Sequence, residues 1–339
     1  MHAMRTAMSS TARARAFWIV GAGHGELREE PLPRVGEHDV LVAARYSAVS
    51  RGTESLVFHG RVPASEWQRM RAPHQVGSWP EAVKYGYASV GEVLAGAREL
   101  VGQRVFVLHP HQDFYVVPAC DAMSIPDGVP DERAVLAANM ETALNAVWDG
   151  PVLHGQRVVV VGAGVVGSLV AYLAARVPGT DVALVDVLPA RERLALRLGA
   201  RFALPDNAPR DADLVVHASG NPAGLALCLE LAGDEATVLE LSWYGDTPVT
   251  LPLGQAFHSR ALSLRASQVG HVSPRMRARF DPRRRLALAL SLLRDPALDA
   301  LISGESRFDE LPHVMGAICT STAAVLCHRI RYGVSACTA

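Results

Sequence analysis

The chain has 339 residues, with 33 basic and 34 acidic side chains and a formal net charge of −1. That length accommodates two cored domains, and the even charge balance excludes nucleic acid and an anionic membrane as main partners. No apolar run reaches the roughly 18 residues of a membrane span. The five Cys (Cys120, Cys228, Cys319, Cys327, Cys337) are scattered, odd in number and without a C-x-x-C pair. Free thiols in a cytoplasmic protein are the simplest account.

Residues 1–13 carry two Arg and no apolar core before a cleavage-like site, and are expected to be a disordered extension and not a secretory signal. Residues 14–125 read mostly as short strands and turns. Phe17-Trp18-Ile19-Val20, Val40-Leu41-Val42, Val90-Gly91-Glu92-Val93 and Val105-Phe106-Val107 are each bounded by Gly or Pro. This predicts a small barrel-like β domain. Gly21-Ala22-Gly23-His24-Gly25 is a turn and not a nucleotide loop, because no helical segment follows it. Residues 132–148, rich in Ala and Leu, predict a helix ended by Asp149-Gly150-Pro151.

The chain is organised around what comes next. Val158-Val159-Val160-Val161 leads into Gly162-Ala163-Gly164-Val165-Val166-Gly167, and an apolar helical segment runs to about residue 175. In G-x-G-x-x-G the first Gly permits the strand-to-helix turn and the second lets backbone approach a pyrophosphate. The third lets helix and strand pack closely. The helix N-terminus then faces the phosphates with free N–H groups. The next strand, Asp181-Val182-Ala183-Leu184-Val185, ends in Asp186, about 20 residues on, where a carboxylate bonds the adenosine ribose. It would repel a 2′-phosphate, so NAD is expected over NADP, with nearby Arg191 weakening the preference. The bland alternative is a Gly-rich turn that binds nothing. Further strands are predicted over 214–217, 237–241 and 261–265, giving a doubly wound parallel sheet. A helix over 285–293 and a closing strand over 325–331 follow. The basic cluster Arg275–Arg285 reads as a solvated face.

A β-rich first part, a helix, a dinucleotide fold and a return segment together resemble the medium-chain dehydrogenase/reductase superfamily. Four stretches carry the likeness: 26–33 with Asp39-Val40-Leu41-Val42, Tyr85-Gly86-Tyr87-Ala88-Ser89-Val90-Gly91-Glu92-Val93, Gly102-Gln103-Arg104-Val105, and Phe308-Asp309-Glu310-Leu311-Pro312. The resemblance covers about 15–331. It implies an α/β architecture: a GroES-like β-barrel catalytic domain (14–139 and 283–339) around a Rossmann domain (140–282), with a small-molecule substrate in the cleft between them. It also implies a homodimer or homotetramer.

Zinc members of the superfamily carry a Cys where this chain has Ser50, and a His and Glu where it has Tyr87 and Ala88. Their helix ligand corresponds to Glu141. The four-Cys lobe of a structural zinc is absent. One Glu cannot hold the ion, so no metal site is expected. An improvised cluster from His59, His74, His109 and His111 lacks a recognisable spacing, and His109-Pro110-His111 reads as a surface turn. Ser50-Arg51-Gly52-Thr53-Glu54 most resembles the branch containing bacteriochlorophyllide hydroxyethyl dehydrogenase, which implies a reaction type, secondary alcohol to ketone, and not a substrate.

By the same resemblance Arg51 contacts the cofactor pyrophosphate, or else makes a surface salt bridge, and Thr142 lies beside the nicotinamide. Ser219 and Tyr244 follow strands at the carboxyl edge of the sheet, where ligands bind. Tyr244 lines the cofactor site there or packs as a core aromatic. Tyr87 or Glu141 is expected to exchange the substrate proton, with Ser50 bonding the substrate oxygen and Glu54 close behind. Alternatively, Tyr87 merely fills the vacated metal cavity. Trp67, Met70 and Trp79, in an insertion over 60–84, cover the cleft for a bulky apolar substrate or pack on the barrel. Two other readings stand beside this one: a zinc-free quinone or enoyl-type reductase, and a dinucleotide-binding protein without catalysis.

Overall fold

The computed structural model describes residues 12–320 and 325–333. The expected extension thus falls almost wholly outside the described residues, and its last member already opens β1 (Arg13–Gly21), which forms a hairpin with β2 (His24–Pro31). β3 (Asp39–Val49) leads directly into α1 (Arg51–Phe58). Strand-like patterning around it conceals this helix, since Gly52 and Thr53 are weak helix formers. Its start is secured by the Glu54 carboxylate, which accepts the Ser50 backbone N–H at 2.7 Å.

Short strands follow: β4 (Val76–Gly77), β5 (Val83–Lys84), β6 (Ser89–Gly96), β7 (Arg104–Val107), β8 (Phe114–Pro118) and β9 (Met123–Ser124). The predicted helix over 132–148 is two: α2 (Asp131–Ala134) and α3 (Ala137–Asp149). Between them the backbone tightens, with Leu136 N–H bonding Arg133 C=O. The buried Arg133 side chain is meanwhile drawn to Asp299 and to the carbonyls of Leu293 and Arg294.

The dinucleotide-type half contains β10 (Arg157–Val161), α4 (Val165–Ala174), β11 (Asp181–Val185), α5 (Glu192–Leu198), β12 (Arg201–Ala203), β13 (Ala212–His217), α6 (Pro222–Leu231), β14 (Ala232–Glu240), α7 (Ala256–Ser259) and β15 (Ser263–Ala266). Its strands pair in parallel in the order β12-β11-β10-β13-β14-β15. Val158 to Val161 are all buried, as a strand covered on both faces requires. Strand order reverses between β10 and β13, which opens a crevice at the carboxyl edge.

α8 (Pro282–Leu292) then packs on α3, and the chain returns through β16 (Ile302–Arg307), α9 (Leu311–Thr320) and β17 (Cys327–Arg331). β17 lies antiparallel to β3, with His328 opposite Val49, and extends the sheet β16-β17-β3-β6-β7-β9. A smaller sheet, β2-β1-β5-β4, packs beside it. Trp79 is buried and Trp67 half-buried against this barrel core, and the Trp67 indole donates to Val62 C=O. The two tryptophans of the insertion therefore pack on the barrel.

Candidate functional site

Three glycines of the turn after β10 have three different reasons. Gly162 has φ +109°, and a Cβ there would meet the Ser219 backbone nitrogen at 2.6 Å. A Cβ on Gly164, at the start of α4, would have no atom within 4 Å, which leaves room for a phosphate. A Cβ on Gly167 would meet Gly162 O at 2.0 Å, so α4 rests directly on the turn. Val165 and Val166 fill the first turn of that helix.

Asp186 closes the far side. Its carboxylate accepts Ala163 N–H at 2.7 Å and Leu188 N–H at 2.9 Å, and each oxygen keeps a lone pair for a ribose hydroxyl. Beside it burial lowers the pKa of Arg191, with Asp186 opposing and Arg51 adding to the drop. The Arg51 and Arg191 charges thus act on each other beside Asp186, a setting that suits a pyrophosphate. Arg51 also donates to Val325 C=O at 3.3 Å. The residues present fit a dinucleotide.

On the other side of the crevice the sheet edge holds a network the sequence did not reveal. His217, fully buried at the end of β13, contacts Ser219 Oγ through Nε2 at 2.6 Å and Glu240 through Nδ1 at 2.9 Å. Tyr244 Oη donates to Glu240 at 2.9 Å and its ring stacks on His217. Burial pushes the Glu240 carboxyl up, but bonds from His217, the Ser242 amide and Tyr244 outweigh it and hold it below its ordinary value. Tyr244 therefore serves as a packed, bonded aromatic, while Ser219 stands exposed at the crevice beside Gly162. The pairing of His217 with Glu240 joins neighbouring strands, a relation no local motif encodes.

In the cleft between the two halves, Asn139 Nδ2 donates to Ser50 Oγ at 3.3 Å. Helix geometry sorts the other candidates. Residues advance about 100° per step, so Thr142, three on from Asn139, shares its side of α3, and Glu141, two on, does not. Glu141 instead meets Arg285 of α8 at 3.0 Å, with both side chains buried. Burial raises its carboxyl and Arg285 pulls it back. Two expectations are corrected here: Glu141 is not in the proton-exchange cluster, and the basic run that ends at Arg285 sends that residue into the interior. Removing one partner of such a pair leaves a buried charge and costs about 3–5 kcal/mol. Glu141→Ala is expected to lose stability of that order in denaturant unfolding.

Tyr87 lies beside the start of α1, where the Ser50 and Thr53 side chains act on its hydroxyl. Burial, with the Glu54 charge adding, pushes its pKa up to about 12, those two side chains opposing. Its ring meets Tyr85 edge-on at 6.1 Å. Glu54, 1% exposed, bonds His111 Nε2 at 3.0 Å. The expected surface turn at His109-Pro110-His111 is instead buried, because β1 covers it: Phe17 N–H bonds His111 C=O at 2.9 Å. His109 stacks on Tyr115 at 3.7 Å, and burial holds its imidazole well below the usual range. His74 pairs with Asp121. These histidines serve different partners, and among the described residues no three His, Cys, Asp or Glu side chains converge as a metal site. Ser50 and Tyr87 offer hydroxyls where zinc would need thiolate or imidazole, so the donor set does not fit a catalytic zinc.

No family model matches the chain. It is 29% identical over 255 residues to an L-threonine 3-dehydrogenase of Anaeromyxobacter sp. (strain Fw109-5), covering 67% of this chain and 70% of that one. To the same enzyme of Anaeromyxobacter sp. (strain K) it is 29% identical over 231 residues, 60% and 65% of the two chains. The chain thus spans about two thirds of the length of the curated relatives it matches. Among solved structures, L-idonate 5-dehydrogenase of Escherichia coli superposes with a TM-score of 0.78 at 15% identity, covering 94% of this chain and 98% of that one. A zinc-binding dehydrogenase of Sinorhizobium meliloti 1021 bound to NADP gives 0.74 at 19%, over 95% and 100%. An alcohol dehydrogenase of Escherichia coli CFT073 complexed with NADH gives 0.75 at 16%, over 94% and 99%. The chain thus shares the fold of these dehydrogenases, a GroES-like barrel beside a Rossmann sheet, and is similar in sequence to L-threonine 3-dehydrogenases.

Proposed function

We propose that the protein interconverts a secondary alcohol and a ketone with NAD(H), and that hydroxyl chemistry stands in for a catalytic zinc. The observation that carries this is the Tyr87 hydroxyl set beside the Ser50 and Thr53 side chains at the start of α1, with the Glu54 charge acting on it. A bound nicotinamide supplies the hydride donor or acceptor. The glycine turn, Arg51 and Arg191 hold its phosphates, and Asp186 disfavours a 2′-phosphate. Ser50 orients the substrate oxygen. Tyr87, a neutral phenol at physiological pH, donates the proton to a ketone and passes on the proton of an alcohol.

The test is a panel of secondary alcohols, ketones and quinones with either cofactor, on protein of measured metal content purified without added zinc or a metal-binding tag. Alcohol oxidation with NAD favoured over NADP and without stoichiometric zinc is expected. Near-stoichiometric zinc would overturn the metal-free mechanism. Turnover confined to quinones with NADPH would overturn the substrate class.

A further inference from the structure

We propose that Ser219, His217 and Glu240 form an acyl-transfer site at the carboxyl edge of the parallel sheet, in which Ser219 Oγ attacks short-chain activated esters, that is, aryl esters or thioesters with a good leaving group. This activity needs no cofactor and does not rest on the oxidoreductase reading above.

The three side chains stand in the order and at the spacings that an activated serine requires. Ser219 Oγ lies 2.6 Å from His217 Nε2, and His217 Nδ1 lies 2.9 Å from both Glu240 oxygens. A carboxylate only accepts, so Nδ1 carries the ring hydrogen, and in the neutral imidazole Nε2 is left to accept from the serine hydroxyl. The Asn221 N–H donates to Ser219 Oγ at 3.2 Å, which occupies an oxygen lone pair and leaves the hydroxyl hydrogen to His217. Glu240 is itself held by the Ser242 N–H at 2.6 Å and the Tyr244 hydroxyl at 2.9 Å. His217 is fully buried and Ser219 is exposed, so the base is shielded from water and the nucleophile is not. Bracing the sheet edge would need only the pair of His217 and Glu240, and not a second ring nitrogen aimed at an exposed hydroxyl.

The surroundings set the kind of substrate. Helix α6 packs on this contact at Gly224, where a Cβ would lie 2.5 Å from Ser219 Oγ and 2.9 Å from His217 Nε2. Glycine is the poorest helix former after proline, and here it is what admits the Ser219–His217 contact. With that side of Oγ closed, the acyl group has to be short. The glycine turn lies against the Ser219 backbone, since a Cβ on Gly162 would meet the Ser219 nitrogen at 2.6 Å. The leading amides of α4, which a helix leaves without internal partners, supply donors for the oxyanion. A bound dinucleotide takes up the same crevice, so acyl transfer belongs to the cofactor-free protein. The step balances. Ser219 Oγ bonds the acyl carbon, the bond to the leaving group breaks with its electron pair, and the serine proton passes by way of His217 Nε2 to the leaving oxygen or sulfur. Water then attacks the acyl-serine and gives a proton to His217, which returns it to Ser219 Oγ as the free acid departs. Ser219 and His217 handle the reacting atoms, and Glu240 is a positioning residue that acts through His217.

The test uses p-nitrophenyl acetate on the full chain freed of nicotinamide cofactor. The wild type is expected to release nitrophenolate in a stoichiometric burst, with mass spectrometry placing the acetyl group on Ser219. A fluorophosphonate probe should label the same residue and abolish the burst. Ser219→Ala should lower the acylation rate on the order of 100-fold or more, with an unchanged unfolding midpoint. Glu240→Gln should lower kcat on the order of 100-fold while KM stays; a part limited to joining β13 and β14 would lower the unfolding midpoint and leave kcat intact. If Glu240→Gln fails to fold, Ser219→Ala decides alone. A wild type with neither burst nor label overturns the site. So does a burst that survives in Ser219→Ala, as attack by the exposed Cys120 thiol would give. Either result leaves the oxidoreductase reading standing.

Discussion

Tyr87→Phe should lower turnover on the order of 100-fold in both directions, the usual scale for a lost proton-transfer group. The substitution is conservative for packing. The ring keeps its edge-on contact with Tyr85, and only the hydroxyl beside Ser50 and Thr53 is removed. The phenol, pushed up to about 12 by burial and the Glu54 charge, holds its proton throughout neutral pH. Ketone reduction should therefore show no pH dependence from Tyr87 until pH nears that value, above which the phenolate can no longer donate. Steady-state kcat in each direction, with a thermal unfolding control, checks this. Near-normal turnover of the Phe variant would reduce Tyr87 to the filler of a metal cavity.

The second large effect is expected at the turn. Gly167→Ala puts a methyl group where only 2.0 Å separates it from Gly162 O. Neither atom belongs to a flexible side chain, so α4 must retreat or the turn must distort. Overpacking of this kind costs about 1–3 kcal/mol. The turn is the element that meets the cofactor phosphates, so distortion there translates into roughly 10–100-fold weaker NADH binding. Fluorescence titration with NADH reads it directly. Gly164→Ala serves as a contrast, because its methyl group points into open space. That variant should fold normally and lose affinity only through contact with the bound phosphate. Equal NADH affinity in wild type and Gly167→Ala would mean that the close approach of helix and turn does not govern cofactor binding.

What the sequence makes legible follows strong local patterns. The all-Val strand, the G-x-G-x-x-G spacing and the acid ending the next strand each depend on neighbours a few residues away, and Gly162, Gly167 and Asp186 stand in the geometry that spacing requires. The alternation of short strands likewise discloses the barrel. What escapes is decided at long range or by side of helix. Asn139 and Glu141 sit two positions apart on α3, and only the neighbouring α8 shows which of them faces the cleft. Arg285, by sequence one of a solvated basic cluster, finds Glu141 in the interior. His111 resembles part of a surface turn because nothing local announces that β1 will cover it. His217 and Glu240 become partners only once β13 and β14 lie side by side. Helix α1 is hidden because weak helix formers are held there by a carboxylate reaching back to Ser50.

The pairing of β17 with β3 has a consequence for how the molecule is made. The parallel sheet is built from one uninterrupted stretch and can form while synthesis continues, as contiguous units generally do. The first-made strands have no such independence. Until the tail emerges, β3 keeps an unpaired edge, and exposed edges invite wrong partners. The earliest part of the chain is thus the last to be finished, and a premature stop before Cys327 would strand the barrel open while leaving the nucleotide-type half intact.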